Sequence, residues 1–311
     1  MNKANVLRFV LLGLIWGASY TFIKVSLDGL SESQLVLARL LLGALVLLVV
    51  IKVAKVRLPS PGSAWGHIAV TAVLGMVLPF LLLAWGEQHT SAAMAGVLIG
   101  ATPLLTLGAA AFFLPTEKVT WRKTGGLLLG FAGVVLVISP WQSAAGSLKG
   151  QVAVIGAAAC YAAQTVYVRR FLAQRGLAPL AASASQIIAA LFLQAAVTPA
   201  FAWETPSVSW SVGLSILVLG TVGTGLAYLL YFRLIADVGA TTASAVNYLV
   251  PVTAVAIGAT ILGEAVTWNM VVGTVVVLAA LAFAENRITL RRRASAAAGA
   301  SQPTARAREA V

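Results

Sequence analysis

Glu117-Lys118-Val119-Thr120-Trp121 and Glu264-Ala265-Val266-Thr267-Trp268 are nearly the same phrase written twice, 147 positions apart in a chain of 311 residues. Other residues keep the same spacing. Pro103 and Pro251 repeat at an offset of 148, and Gly126 and Gly273 at 147. The set Trp16, Tyr20, Lys24 meets Tyr161, Thr165, Arg169 at 145. This period is far too long for a solenoid unit. It reads as a duplicated domain, with copies over 1–144 and 145–290. What the duplication means depends on the number of membrane crossings in each copy.

Composition places the chain in a membrane. Sixty per cent of its residues are hydrophobic, 10% are charged, and the mean hydropathy is +0.94. Soluble domains carry about 25% charged residues. Ten apolar stretches, near 7–27, 33–53, 65–86, 91–114, 120–139, 149–170, 178–202, 209–234, 239–262 and 266–285, approach the roughly 20 residues that cross a hydrocarbon core. The runs are continuous rather than alternating, which argues against a β-barrel. Lys3 and Arg8 before the first run resemble a signal peptide. The length of that run, Lys24 at its end and its partner in the second copy argue for a retained helix. Cys160 is the single cysteine, so no intramolecular disulfide forms and no metal site is expected. His67 and His89 fall near helix ends and read as interfacial.

The formal net charge of +12 invites a nucleic-acid reading, but its distribution opposes one. With ten spans and a cytoplasmic N-terminus, all of the 21 Lys and Arg residues except Lys24, Arg39 and Lys149 fall on the cytoplasmic side. This is the positive-inside pattern, and it puts both termini in the cytoplasm. Residues 291–311, rich in Ala, Ser and Arg, read as a disordered basic tail able to touch anionic lipid. Each copy holds five helices, an odd number, so the second enters from the opposite side. The expected fold is therefore all-α and integral to the membrane, with ten transmembrane helices in two inverted-topology five-helix repeats. Such repeats recur in secondary transporters, whose substrate site lies near midplane between the halves.

The chain resembles the EamA-type branch of the drug/metabolite transporter superfamily. The likeness rests on Trp16-Gly17-Ala18-Ser19-Tyr20, Ala38-Arg39, Pro103, Pro251, Leu262-Gly263-Glu264 and the glycine-rich last helix, and it covers residues 5–287. Within that branch it is most similar to the YddG-type amino-acid exporters. The resemblance implies a bacterial inner-membrane location and export of small metabolites. It also implies that the fifth and tenth helices stand apart from the pathway, as packing or dimer elements.

Trp65, Trp121, Trp141, Trp203, Trp210 and Trp268 lie at helix ends and form an aromatic belt. Trp16 lies mid-helix, and its face continues through Tyr20. The equivalent face on the sixth helix carries Tyr161 with Gln164 beside it. Together these stripes read as a cavity lining; the competing reading is close packing through Gly13 and Gly17. Asn247, Tyr248 and the buried amides Gln186 and Gln194 need protein or water partners. Arg39, well inside the second helix, reads either as counter-charge to a substrate carboxylate or as the partner of Asp28 or Glu32. Pro79, Pro103 and Pro251 are candidate hinges, though static proline kinks are common in membranes. Pro79 has no proline counterpart in the eighth helix, where Gly223 and Gly225 supply flexibility.

Glu87, Glu117, Asp237, Glu264 and Glu285 all fall at helix ends. The lack of a mid-helix carboxylate argues against tight proton antiport and against strongly cationic substrates. The substrate-binding candidates are thus Trp16, Tyr20, Arg39, Tyr161, Gln164, Asn247 and Tyr248. The expected function is a secondary transporter exporting small metabolites, aromatic or neutral amino acids foremost, by alternating access through a midplane cavity between the two repeats. Multidrug or quaternary-amine efflux and a structural or accessory membrane subunit are the alternatives. No nucleotide loop, metal cluster or nucleophile set supports an enzyme, and no cofactor is expected. The expected partners are a small-molecule substrate and the lipid bilayer, not nucleic acid, with the protein a monomer or homodimer.

Overall fold

The computed structural model describes residues 3–60, 62–114, 120–139, 147–200, 205–238 and 243–284, and among these the chain is helical without strands. Among the described residues, eight helices are long and apolar enough to cross a membrane: α1 Lys3–Ser26, α2 Glu32–Val53, α3 Ser63–His89, α4 Ala92–Phe113, α5 Trp121–Ile138, α6 Leu148–Arg175, α7 Pro179–Ala200 and α8 Trp210–Val238. Two apolar helices are shorter, α9 Ala245–Ile261 and α10 Trp268–Ala284. At a rise of 1.5 Å per residue, the 17 residues of α10 span about 25 Å, less than the roughly 30 Å of a hydrocarbon core. Residues 115–119 of the first pentapeptide region, the predicted boundary at 144, Trp141, Trp203, Glu285 and the predicted tail 291–311 lie outside the described residues.

Local chemistry sets the helix starts. Ser31 opens α2 with a capping box closed by Gln34, and Ser91, Thr120 and Ser209 accept from the amides of Met94, Lys123 and Val212. These hydroxyls satisfy amides that a helix start leaves without partners. Each candidate hinge proline follows irregular backbone. Pro79 comes after a π-turn at Val73–Val77, Pro103 after the break at Gly100 and Ala101, and Pro251 after a 3-10 turn at Ser244–Tyr248. Proline has no N–H to give and its ring crowds the preceding turn, so the regular ladder restarts around it.

Helix α8 lacks a proline to match Pro79, yet it shares another device with α3. It carries its own π-turn at Thr221–Leu226, 148 positions after that of α3, with Gly223 opposite Gly75. No proline is involved. The Thr224 hydroxyl instead donates to the Leu219 carbonyl five residues back, at 3.1 Å.

The main helix pairs join one copy to the other: α5 with α10, α3 with α6, α1 with α9, α4 with α9, α2 with α7 and α4 with α6. Small residues make the close ones possible. A Cβ at Gly17 of α1 would lie 1.8 Å from the Thr253 hydroxyl of α9, and that hydroxyl donates to the Gly13 carbonyl at 3.0 Å. Gly13 and Gly17 are therefore packing residues. On α3 and α6, Gly86 faces Gly150; on α5 and α10, Gly133 faces Val277 and Gly273 faces Val137. The end of α1 lies beside the end of α3 and the start of α6, since Lys24 Nζ donates to the Thr90 carbonyl and Ser147 N to the His89 carbonyl. Helix α1 thus ends where its repeat-mate α6 begins.

The α5–α10 seam gives a direct test. Gly273→Val would drive a side chain to within 2.4 Å of Val137 Cγ2 and 2.9 Å of the Gly133 carbonyl. Overpacking of this kind costs about 1–3 kcal/mol. Thermal unfolding in detergent should show a clear loss for Gly273→Val. Gly66→Ala, where a Cβ meets open space, should be neutral or gain up to about 1 kcal/mol.

Candidate functional site

Arg39 is the centre of the site. It lies two turns into α2 and is only 7% exposed. Its Nε donates to the Thr224 hydroxyl of α8 at 2.9 Å, and its guanidinium carbon sits 3.8 Å above the centre of the Phe80 ring of α3. The π-turn of α8 brings Thr224 to this point, because Gly220 and Gly225 let α8 lie directly on Leu42 and Val46 of α2. Tyr20 of α1, Tyr161 of α6 and Tyr228 of α8 are the phenols in electrostatic reach of the guanidinium. The ion pair with Asp28 or Glu32 does not form; α2 turns Arg39 inward, towards the other copy, rather than to its own rim.

Tyr161 packs against both large apolar clusters of the protein, one containing Leu12 and Tyr20 and the other containing Leu40 and Phe80. It is half-buried at their junction. Trp16 is also half-buried and meets Tyr231 of α8 with ring centres 5.3 Å apart, a tilted aromatic pair. Tyr20 is buried and lies over Gly96 of α4. Gln164 shares the hollow beside Gly75 with Gln186, whose Nε2 donates to the Thr71 carbonyl at 2.8 Å. A Cβ on Gly75 would lie 2.4 Å from the Gln164 amide carbon and 2.6 Å from Gln186 Nε2.

Two of the predicted residues stand elsewhere. Tyr248 packs with the cluster of Leu104, Val277 and Leu281, on the side of the α5–α10 pair. Asn247 is half-buried in the same 3-10 turn at the start of α9. The stripe on α6 is also shorter than its spacing implies. Thr165 and Arg169 are exposed, and the Thr165 hydroxyl bonds back to the Tyr161 carbonyl. An apolar groove of about 260 Å³ between Leu14, Phe22, Val218 and Ile257 contains none of the polar site residues.

Polar contacts between the copies close both ends of the bundle. At the end where α1 finishes, Ser207 N donates to the Gly29 carbonyl at 2.9 Å, and Ser33, Gln194 and Thr198 form a buried network. There Glu264 accepts from the amides of Ala92 and Ala93 at 2.7 and 2.8 Å, clasping the start of α4. Glu264 is thus more than a helix-end marker. At the end where α1 begins, Arg8 pairs with Asp237 at 2.6 Å and His67 bonds the Tyr167 hydroxyl at 2.8 Å.

Sequence reasoning missed Thr224, Phe80, Tyr228 and Tyr231. The repeat spacing held a signal for two of them, since Phe80 and Tyr228 are 148 apart and both flank Arg39. It also misjudged Glu87. Although near a helix end, Glu87 is 0% exposed, so a carboxyl group does lie inside the bundle.

The Arg39–Thr224 bond is the testable link. Thr224→Val keeps the shape and removes the acceptor, leaving a buried guanidinium N–H without a partner. This should cost about 1–3 kcal/mol in thermal unfolding, whereas Thr224→Ser should retain most of the stability.

Comparison with known proteins locates the fold. The profile of the EamA-like transporter family matches the chain twice, over residues 4–139 and 148–285. An uncharacterized transporter of Archaeoglobus fulgidus is 27% identical over 81% of this chain and 86% of its own. A "probable terminal-alkyne amino-acid exporter" of Streptantibioticus cattleyicolor is 25% identical over 96% of this chain and 99% of its own. A WAT1-related chloroplastic protein of Arabidopsis thaliana is 30% identical over 86% of this chain and 66% of its own. A crystal structure at 20% identity superposes with a TM-score of 0.64, covering 93% of this chain and all of that one, and so shares the fold.

Proposed function

The chain belongs to the EamA-like transporter family, and from that premise we propose that it exports neutral or aromatic amino acids by alternating access between its two copies. The observation that carries this reading is Arg39. A guanidinium buried among aromatic rings, bonded to protein through Nε alone among the described residues, is a fixed cation whose terminal N–H groups match a carboxylate in bidentate geometry. Phe80, Tyr161, Trp16 and the Gln164 amide offer an apolar and hydrogen-bonding surround for the rest of a zwitterion. The amino-acid exporter among the relatives supports the same substrate class. A buried positive charge disfavours organic cations, which weighs against quaternary-amine efflux.

On this reading α9 and α10 complete ten crossings in inverted halves, divided near residue 144. The charge distribution supports cytoplasmic termini, with the 291–311 tail beside them, and the bacterial relatives support an inner-membrane location. The end marked by Arg8 and Asp237 is cytoplasmic, and the end marked by Glu264 and Gly29 is outer. The prolines 79, 103 and 251, together with the two π-turns, are the places where helices bend as access alternates.

The test is counterflow of radiolabelled phenylalanine in proteoliposomes. Arg39→Gln should lower the rate at least about tenfold, corresponding to roughly 1.4 kcal/mol, and Arg39→Lys should not restore it, because an ammonium lacks the planar fork. Trp16→Ala and Tyr161→Ala should reduce transport more than Trp121→Ala or Trp268→Ala, at matched protein levels. Equal rates across all these variants would sink the site assignment.

A further inference from the structure

Glu87 is left over from the site just described. It lies in the last turn of α3, and neither carboxylate oxygen has a hydrogen-bond partner among the described residues. An ionised carboxylate so placed is strongly disfavoured, whereas the neutral acid is tolerated. Lys24 of α1 is the available counter-ion, yet its ammonium is engaged elsewhere. Nζ donates to the main-chain carbonyls of Glu87 and Thr90, where a cation complements the C-terminal end of α3.

The other groups facing Glu87 are accounted for. Tyr20 comes from α1, and Arg39 of α2 is held by Thr224 and Phe80. Glu264, from the link between α9 and α10, is held by Ala92 N and Ala93 N. Helix α4 carries no charged residue. Helix α6 presents Gly150 and Val154 to Gly86, with Lys149 exposed at its start. On α3 itself, His89 is exposed and bonds the Trp85 carbonyl.

We propose that Glu87 is a proton-binding site of this transporter and that its proton holds the outer end shut. When the outer end hydrates, the Glu87 O–H bond breaks, the proton passes to water, and the electron pair stays on the carboxylate. The new charge draws Lys24 from the α3 carbonyls and repels the neighbouring carboxylate of Glu264 from the start of α4. Both changes free the Thr90–Ser91 turn, and the end opens. Reprotonation reverses the steps. Each opening to the outside then releases a proton, which makes the export cycle sensitive to pH. The sidedness rests on the proposed function; the proton site itself does not.

The experiment needs no known substrate. In a Cys160→Ser background, Ala92→Cys places a thiol at the fully buried position under Glu264. Maleimide labelling in proteoliposomes is followed across pH, with Glu87→Gln carrying the same reporter as the reference for thiol ionisation. Allosteric couplings alter an equilibrium by about 5–150-fold, and we expect labelling to rise at least about fivefold more with Glu87 than with Gln. Lys24→Met, which removes the counter-ion, should move the step to higher pH, and His89→Gln should leave it in place. Infrared spectra at neutral pH should show a protonated-carboxyl carbonyl band that Glu87→Gln lacks. Identical pH profiles for Glu87 and Gln, an unmoved step in Lys24→Met, or no band assignable to Glu87 would overturn the proposal. Phenylalanine counterflow in the same vesicles separates the two readings. Its absence beside a Glu87-dependent labelling step would count against the substrate class alone.

Discussion

A buried guanidinium is the constraint around which this bundle is arranged. Arg39 is only 7% exposed, and its partners come from other helices. Its burial is tolerable because α8 presents a hydroxyl and α3 an aromatic face at the same level. For Thr224 to reach it, α8 must lie almost backbone to side chain against α2, which the glycines at 220 and 225 permit. One buried charge thus fixes the approach of two helices from one copy to a third from the other.

The same logic extends through the core. The pairs α3–α6, α1–α9 and α4–α9 meet at glycine or alanine positions, so dispersion contacts and short polar bonds replace the hydrophobic drive that lipid cannot supply. Neither copy buries its inner face without the other. The site therefore sits between the two copies, with Tyr161 touching both apolar clusters at their junction.

Much of this was legible in the sequence. The pentapeptide echo and the proline pair revealed the duplication, and continuous apolar runs revealed the helices, because length and hydropathy are nearly sufficient for a segment in lipid. Trp16, Tyr20, Tyr161 and Gln164 were visible as polar or aromatic interruptions at helical spacing. What stayed hidden depended on rotation and depth. Tyr248 turns towards the α5–α10 side, because a 3-10 turn before Pro251 alters its phase. Arg39 kept two readings, counter-charge or rim ion pair, since its partners lie 41 and 185 positions away. Glu87 was read only by its place at a helix end, and place along a helix says nothing of burial, which depends on the other helices packed around it.

The two π-turns also bear on the duplication of the chain. A π-turn holds one more residue than the α-turn it replaces. The surplus occurs at Val73–Val77 and again at Thr221–Leu226, 148 positions on, and each time the second helix of the other copy sends a polar side chain into the turn or just ahead of it: Arg39 of α2 to Thr224, and Gln186 of α7 to the carbonyl of Thr71. Arg39 and Gln186 are themselves 147 apart. A surplus residue at matching places, met by matching positions, makes the π-turn part of the repeated unit itself. The two units are not identical: the proline at 79 has no twin, and where one copy carries a charge at Arg39 the other carries an amide at Gln186.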